Sequence, residues 1–436
     1  MATLSMGRKA AYATGGIAMN LTNLVISQWI YKLYVPSPET ALVVVPVFGA
    51  IFFLGRLTDG ITDPLIAYWS DRLRSKWGRR IPFILFGVGP LALVFFLLWM
   101  PPSPGLHWSN TLWAFVFIQA YFVLYTVVVT PYLALIPEIT SDLDERVNLT
   151  TLQAVGVMVG TAVFAVIGVV IESWGWAALG GVVAGLCVVS FVPTLLWIRE
   201  RPTTPASDEA PQGEQPGLIT WMRLTFHNRP FLHLVVATSF YWFGLNLLIM
   251  VVPYWVQDLL GLGEGDVPIL MGPFLLMNLV CFFLFNDMAK RWGKHMAFMV
   301  TLVGSALVVP ALSLVGHLPF GSELVQSAVV MGLIGIPTAG FMMLPFALLA
   351  DVVDYDEQLT GQRREAIYFG MQAVLQKTMI GASIFAFGLM VLGGQTTSIV
   401  GLRAVPLVAA VAFIAGFVAF LRYPLREREG KVTFIG

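Results

Sequence analysis

The chain has 436 residues, of which 57% are hydrophobic and 11% charged, with a mean hydropathy of +0.80 and a formal net charge of zero. A soluble domain carries about a quarter charged residues, so the composition excludes an ordinary water-soluble protein, and the neutral balance excludes the basic footprint of a nucleic-acid binder. Two cysteines, Cys187 and Cys281, sit in apolar runs far apart in sequence and read as packing residues, since two supply neither a disulfide framework nor a zinc set. The N-terminus lacks a short apolar run followed by a small-residue cleavage site.

Scanned for apolar runs of about 20 residues, the length that spans a bilayer as helix, the chain shows twelve: 10–34, 41–69, 81–100, 110–135, 148–171, 176–198, 230–257, 267–289, 295–316, 324–350, 366–393 and 400–422. The stretch 199–229 differs: it is rich in Pro, charge and small polar residues and reads as a flexible cytoplasmic linker. The expected fold is an all-α membrane protein of twelve transmembrane helices, divided into a six-helix half (1–198), the linker, a second six-helix half (230–422) and a cytoplasmic tail (423–436). Trp99, Trp108 and Trp113, near helix ends, are expected to be interfacial anchors.

Lysine and arginine placement sets the orientation. With the N-terminus inside, of the 25 Lys and Arg only Lys32 and Arg403 fall on the far side, and Arg56 and Lys377 lie within spans. Both termini are therefore expected in the cytoplasm, and the protein in the cell (inner) membrane. The halves also echo one another. Asp71…Trp77-Gly78-Arg79-Arg80 after the second span matches Asp287…Trp292-Gly293-Lys294-His295 after the eighth, and Ala134–Glu138 matches Ala347–Asp351. A parallel repeat of two six-helix halves is a transporter architecture in which solute binds between the halves near the midplane. The basic turns recur where they can pair with acids and helix ends to hold an inner gate shut.

Charge inside the spans is the chemical signal, because an ionised group in lipid is costly unless partnered or used. The second span carries Arg56, Asp59 and Asp63. The two aspartates, four residues apart, share one helix face about 6 Å apart along its axis. So close, either one takes up a proton or the pair holds a cation. The bland alternative is a structural ion pair, with Arg56 and Lys377 neutralising the aspartates. Lys377 follows Gln372 and Gln376 on an otherwise apolar eleventh span.

Arg56…Asp59-Gly60-Ile61-Thr62-Asp63-Pro64 and Ser70-Asp71-Arg72…Trp77-Gly78-Arg79 resemble the glycoside–pentoside–hexuronide:cation symporters, a branch of the major facilitator superfamily. So do Tyr125-Thr126…Pro131-Tyr132…Pro137, Asp351…Asp354-Tyr355-Asp356-Glu357 and Arg363…Gln372…Lys377, in order along essentially the whole chain. The resemblance implies the major facilitator fold and a coupling-cation site at Asp59 and Asp63, with Thr62 between them and Thr126 on the fourth helix. It also implies that Lys377 faces those carboxylates; one physical reading is competition, in which Lys377 satisfies the aspartates when the cation leaves. No cofactor is expected beyond a coupling ion, Na⁺ or H⁺; hydroxyl oxygens on Thr62 and Thr126 favour Na⁺.

The sugar-gripping positions depart from that family's pattern. The acids that melibiose permease carries on its first and fourth helices fall at Asn20 and Val129, and its fifth-helix arginine falls near Ala154, beside Gln153. Its aromatic platforms fall at Leu133 and Met342. Losing two carboxylates removes the acceptors that grip hydroxyl pairs and leaves a less polar cavity. The remaining candidates are Asn20, Asn23, Gln28, Tyr121, Tyr125, Gln153, Asn246 and Gln372, with Asn20 and Gln372 foremost; each is equally an interhelical packing bond. Expected gating residues are Asp71, Arg72, Arg79, Glu138 and Arg146 in the first half, and Asp351, Asp354 and Arg363 in the second.

Five scattered histidines and the absence of a Walker loop or nucleophile elbow disfavour an enzyme or an ATP-driven pump. The expected function is cation-coupled symport of a small polar solute, a sugar or glycoside, by alternating access. Two alternatives stand beside it: a carrier of a lysophospholipid-like solute on the same scaffold, and a receptor or scaffold that does not transport. Expected partners are the solute and membrane lipid, with the protein monomeric and no nucleic acid bound.

Overall fold

The computed structural model describes residues 4–73, 75–140, 143–200, 225–360, 365–392, 398–428 and 431–434. The first six long helices are α1 (Met6–Tyr34), α2 (Val45–Arg72), α3 (Ile81–Leu98), α4 (Trp108–Leu133), α5 (Leu143–Ala165) and α6 (Ile167–Trp197). The second six are α7 (Arg229–Tyr254), α8 (Val267–Trp292), α9 (Lys294–Val308), α10 (Glu323–Thr360), α11 (Glu365–Val391) and α12 (Ile399–Leu421). After α12 comes a short antiparallel hairpin of β1 (Leu425–Arg428) and β2 (Lys431–Phe434). Most of the expected linker, residues 201–224, lies outside the described residues.

Eleven of the helices are long and apolar enough to cross a membrane, and α1 is not among them. Its run Asn20-Leu21-Thr22-Asn23 and the later Ser27, Gln28 and Lys32 lower its hydropathy, but Thr22, Ser27, Gln28 and Lys32 are buried against protein. A helix enclosed by its neighbours need not show lipid an apolar face all round. The boundary expected between 171 and 176 lies at Gly175, whose φ of +82° breaks α6. Helix α10 runs past the expected end at 350, so Asp351, Asp354 and Asp356 stand on it rather than after it. At its end α7 widens into a π-helical turn, Trp255–Leu259, just after Pro253. A proline removes one N–H from the helical ladder, and π-turns occur where that ladder is disturbed.

The chain divides into two compact units, Met1–Glu214 and Gln215–Gly436. In the first, α1 packs on α5 and α6, α2 and α3 pack on α4, and α3 packs on α6. In the second, α7 packs on α11 and α12, α8 and α9 pack on α10, and α9 packs on α12. Each pairing recurs with the helix number raised by six, so the sequence echo marks two units of one internal topology.

Small residues let α1 and α5 touch backbone to backbone, as in other membrane bundles. A Cβ at Gly16 would lie 2.9 Å from the Gln153 carbonyl oxygen, and one at Gly160 would lie 2.8 Å from that of Ile17. Tyr12 of α1 and Tyr132 of α4 stack at 4.8 Å, and each hydroxyl donates to the other's backbone carbonyl, at 3.3 and 2.7 Å. The expectation for Trp99 is corrected: it is buried, stacked on Trp176 at 6.0 Å, and packs the core of the first unit. Trp108 is exposed, and Trp113 donates to the Leu97 carbonyl at 3.0 Å.

Each unit ties the loop before its fourth helix with one side-chain amide. The Asn110 amide donates to the carbonyls of Ser103 and Gly105, both at 2.9 Å, and its oxygen accepts from Ser103 N–H at 3.0 Å. The Gln326 amide donates to the Leu318 and Phe320 carbonyls at 3.2 and 2.9 Å, and its oxygen accepts from Gly316 N–H at 2.7 Å. At the other end of the first unit, Glu200 follows α6 and caps α3. Its carboxylate accepts from the backbone N–H groups of Arg79, Arg80 and Ile81 at 2.6, 2.7 and 2.7 Å. The Arg80 and Ile81 N–H groups are donors that a helix start leaves without intrahelical partners, and the negative charge suits the positive end of the helix dipole.

Candidate functional site

Helices α2 and α4 meet along a ladder of oxygen atoms. Asp59 and Asp63 are four residues apart on α2, and Thr126 and Thr130 are four apart on α4, so each pair lines one face. The Thr126 hydroxyl donates to Asp59 Oδ1 at 2.8 Å and the Thr130 hydroxyl to Asp63 Oδ1 at 3.0 Å. The Thr62 hydroxyl lies between them, with the Thr58 carbonyl at 2.9 Å and both the Asp59 carbonyl and Thr126 Oγ1 at 3.2 Å as acceptors in reach. Asp59 and Thr126 are each 1% exposed, whereas Asp63 and Thr130 are half-buried. The donor set is oxygen alone, two carboxylates and three hydroxyls, the chemistry hard cations select.

Arg56 sits beside this ladder and is held by α1. Its Nη2 donates to Ser27 Oγ at 2.6 Å and to Asn23 Oδ1 at 3.1 Å, and its Nη1 lies 3.9 Å from Asp59 Oδ2. The guanidinium faces the ring centroids of Phe122 at 4.9 Å and Phe52 at 5.5 Å. A buried guanidinium needs this many partners, since removing one member of a buried pair typically costs about 3–5 kcal/mol. α1 thus orients the guanidinium, and Arg56 in turn leans on the more buried carboxylate.

The expected solute-pocket residues hold varied positions. The Asn20 amide donates to the Val157 carbonyl at 2.9 Å and to Thr161 Oγ1 at 2.7 Å, bonding α1 to α5. The Tyr125 hydroxyl donates to the Met19 carbonyl at 3.0 Å, and the Asn246 amide donates to Ser383 Oγ at 2.8 Å. Val129 is buried and Gln153 is half-buried. In the second unit Lys377 is half-buried on α11, and Gln372 on the same helix is 5% exposed with its Oε1 unpartnered.

Each unit holds an ion pair between a basic turn and an acid of the expected gate. Arg79 Nη2 lies 2.6 Å from Glu138 Oε1, and Lys294 Nζ lies 2.6 Å from Asp351 Oδ1. Trp77 and Trp292, two residues before these bases, are 215 residues apart in sequence, so the bridge is a repeated feature that ties the basic turn to the carboxyl side of the fourth and tenth helices. Asp354 is half-buried on α10. Arg363 and the side chains of Asp71, Arg72 and Arg146 lie outside the described residues.

Three features of this arrangement escape the sequence reading. Thr130 reads as an ordinary polar residue in an apolar helix, although its spacing from Thr126 repeats that of the aspartates. Ser27 shows no sign in sequence that it holds Arg56, and Asn23 stands among the pocket candidates instead. Glu200 falls within a stretch whose composition reads as linker.

Comparisons with known proteins place the whole chain in a family. The family model described as MFS/sugar transport protein matches residues 11–427. The isoprimeverose transporter of Lactiplantibacillus pentosus is 23% identical, over 97% of this chain and 89% of that protein. The sodium-dependent lysophosphatidylcholine symporter 1 of Gallus gallus is 24% identical, over 98% of this chain and 88% of that protein. Among solved structures, the nucleoside transporter NupG superposes with a TM-score of 0.66 at 13% identity, covering 96% of this chain and 99% of that one; the likeness is one of fold.

Proposed function

Because the chain belongs to the MFS/sugar transport family, we propose that it is a secondary active transporter in which the Asp59–Thr126 ladder binds a coupling cation. The cation is a co-transported substrate, held by Asp59, Asp63, Thr62 and Thr126, while Arg56 keeps Asp59 oriented. The observation that carries this reading is the convergence of two carboxylates and threonine hydroxyls in an apolar interior, with Thr126 Oγ1 2.8 Å from Asp59 Oδ1. Neutral hydroxyl oxygens beside carboxylates suit Na⁺ better than a proton, so Na⁺ is the proposed ion. Arg79–Glu138 and Lys294–Asp351 are proposed as parts of the inner gate, with both termini cytoplasmic and residues 199–229 as the linker between the halves 1–198 and 230–422.

The proposed solute is a sugar or glycoside, the cargo class that the family description and the isoprimeverose transporter's name support. A lysophospholipid-like solute is a second reading, favoured by one observation. The positions where melibiose permease carries acids hold Asn20, bonded to α5, and buried Val129, which suits a less polar headgroup site. The relatives named as sodium-dependent lysophosphatidylcholine symporters support it equally.

Proteoliposomes test both readings. Uptake of a glycoside panel and of a fluorescent lysolipid is measured under imposed Na⁺ and pH gradients. Accumulation driven by Na⁺ is the expected result, and the substrate panel that responds decides the cargo. No cation-driven flux of either panel would leave a non-transporting receptor as the better description.

A further inference from the structure

Several threonines of the membrane helices follow a rule that others break: Thr58 donates across to Gln119 Oε1 and Thr194 to the Ala11 carbonyl, both at 2.8 Å. A threonine inside a helix usually returns its hydroxyl to the carbonyl one turn back. Thr22 donates to Ala18, Thr161 to Val157, Thr301 to Ala297, Thr338 to Ile334 and Thr378 to Val374 in this way, at 2.8 to 3.1 Å. Thr126 and Thr130 instead cross from α4 to the carboxylates of α2. Both bridges join residues 67 apart in sequence, so α2 and α4 run in the same direction and in register, and a step of four on one helix is matched by a step of four on the other.

From this register we infer that Thr130 belongs to the cation site, as a positioning residue that holds Asp63 and offers the ion a further oxygen. The inference rests on the cation reading above and extends it. The two rungs differ in exposure: Asp59 and Thr126 are buried, whereas Asp63 and Thr130 are half-buried. The less buried Asp63–Thr130 rung is then the side from which the ion enters the site that both carboxylates share, about 6 Å, one helical turn, from the buried rung. At each rung one hydroxyl can serve in two ways. With the rung empty it donates to the carboxylate. With the ion present it turns its lone pairs to the ion and returns its proton to the helix carbonyl one turn back, as Thr22 and Thr161 do. Only a hydroxyl does both; valine, of the same shape, does neither.

The test is thermal unfolding of the purified full chain against a NaCl series, with choline chloride keeping ionic strength constant, for the wild type, Thr130→Val, Thr130→Ser and Thr126→Val. Stabilisation by an ion that binds only the folded state reads directly as occupancy. Losing a hydrogen bond to a charged group should raise the half-saturating Na⁺ concentration of Thr130→Val about tenfold to a hundredfold, with Thr130→Ser close to wild type. Melting without Na⁺ reports any general loss of packing, so a shift in half-saturation at unchanged Na⁺-free melting is specific. A wild type that does not respond to Na⁺ overturns the cation reading and this inference together. A responsive wild type with Thr126→Val shifted and Thr130→Val unshifted overturns this inference alone.

Discussion

Replacing Glu200 by alanine should release the start of α3 and loosen the basic turn that precedes it. The carboxylate accepts three backbone N–H groups at 2.6 to 2.7 Å. One charge-assisted bond is worth roughly 1.5–3 kcal/mol, but the turn is partly open to water, which can replace part of each. A single capping side chain measures about 0.5–2 kcal/mol, so a three-fold cap under partial solvation should cost about 2–3 kcal/mol. Glutamine should cost less than alanine, because with its oxygen at the Oε1 place it still accepts from Arg80 and Ile81, while its amide nitrogen sets a donor against the Arg79 N–H. Gly78 sharpens the test. Its φ is +106°, and a Cβ there would lie 2.6 Å from Glu200 Oε1. Gly78→Ala therefore carries both left-handed strain, about 1–2 kcal/mol, and a clash that expels the carboxylate. In a Glu200→Ala background only the strain remains, so the two substitutions should cost less together than the sum of each alone. Thermal unfolding in detergent gives the energies, and amide exchange at Arg79, Arg80 and Ile81 gives the location. Unchanged exchange at those three amides in Glu200→Ala would refute the cap.

Asp59→Asn removes the more buried carboxylate and should abolish Na⁺-dependent stabilisation while leaving a folded protein, read by melting with and without Na⁺. Arg56→Lys should impair transport nearly as much as Arg56→Gln, because an ammonium cannot reach Ser27, Asn23 and Asp59 from one planar fork; initial uptake rates check this. Asn110→Ala and Gln326→Ala should each destabilise by about 2 kcal/mol through backbone groups left unpaired in the loops they tie, and limited proteolysis of 99–107 and 315–322 should speed up accordingly.

The sequence made much of the scaffold legible, and for a physical reason. Apolar runs must match a bilayer in length, so the places of the long helices are written in composition. The repeat was legible as well, since turns such as Gly78 and Gly293 require glycine at positive φ and basic residues follow them. Asp59 and Asp63 announced themselves because charge in an apolar helix is rare. Partners without charge did not. Thr130 and Ser27 are residues that membrane helices carry freely, and only the register of α4 and α1 against α2 gives them a role. Trp99 failed in the opposite direction: its place near a helix end suggested an interface, and packing against Trp176 put it in the core. Glu200 was hidden because composition averages over a window, and one capping residue disappears among the prolines and charges that follow it.

The two units share a topology but not a chemistry, and that asymmetry bears on how the ladder is used. At an offset of 215, Asp59 and Asp63 correspond to Phe274 and Asn278 of α8. There α8 meets α10 through Gly335, where a Cβ would lie 3.1 Å from the Phe274 carbonyl carbon and 3.2 Å from the Asn278 nitrogen. Backbone packed on backbone leaves no room for an ion between those two helices. In the first unit the same helix pairing is spaced by carboxylates and hydroxyls. Polar rungs contribute little to helix association in a membrane, on average about 0.6 kcal/mol for an interhelical bond, while burying a carboxylate there is expensive. A fold that can join this pair of helices through glycine has no structural need of Asp59 and Asp63. Substituting the ladder in the manner of the second unit, Asp59→Phe with Asp63→Asn, should therefore retain a folded α2–α4 pair that melts lower without Na⁺, because Arg56 loses a carboxylate neighbour, and lose every response to the ion. A protein that fails to fold in that form would instead make the ladder part of the framework.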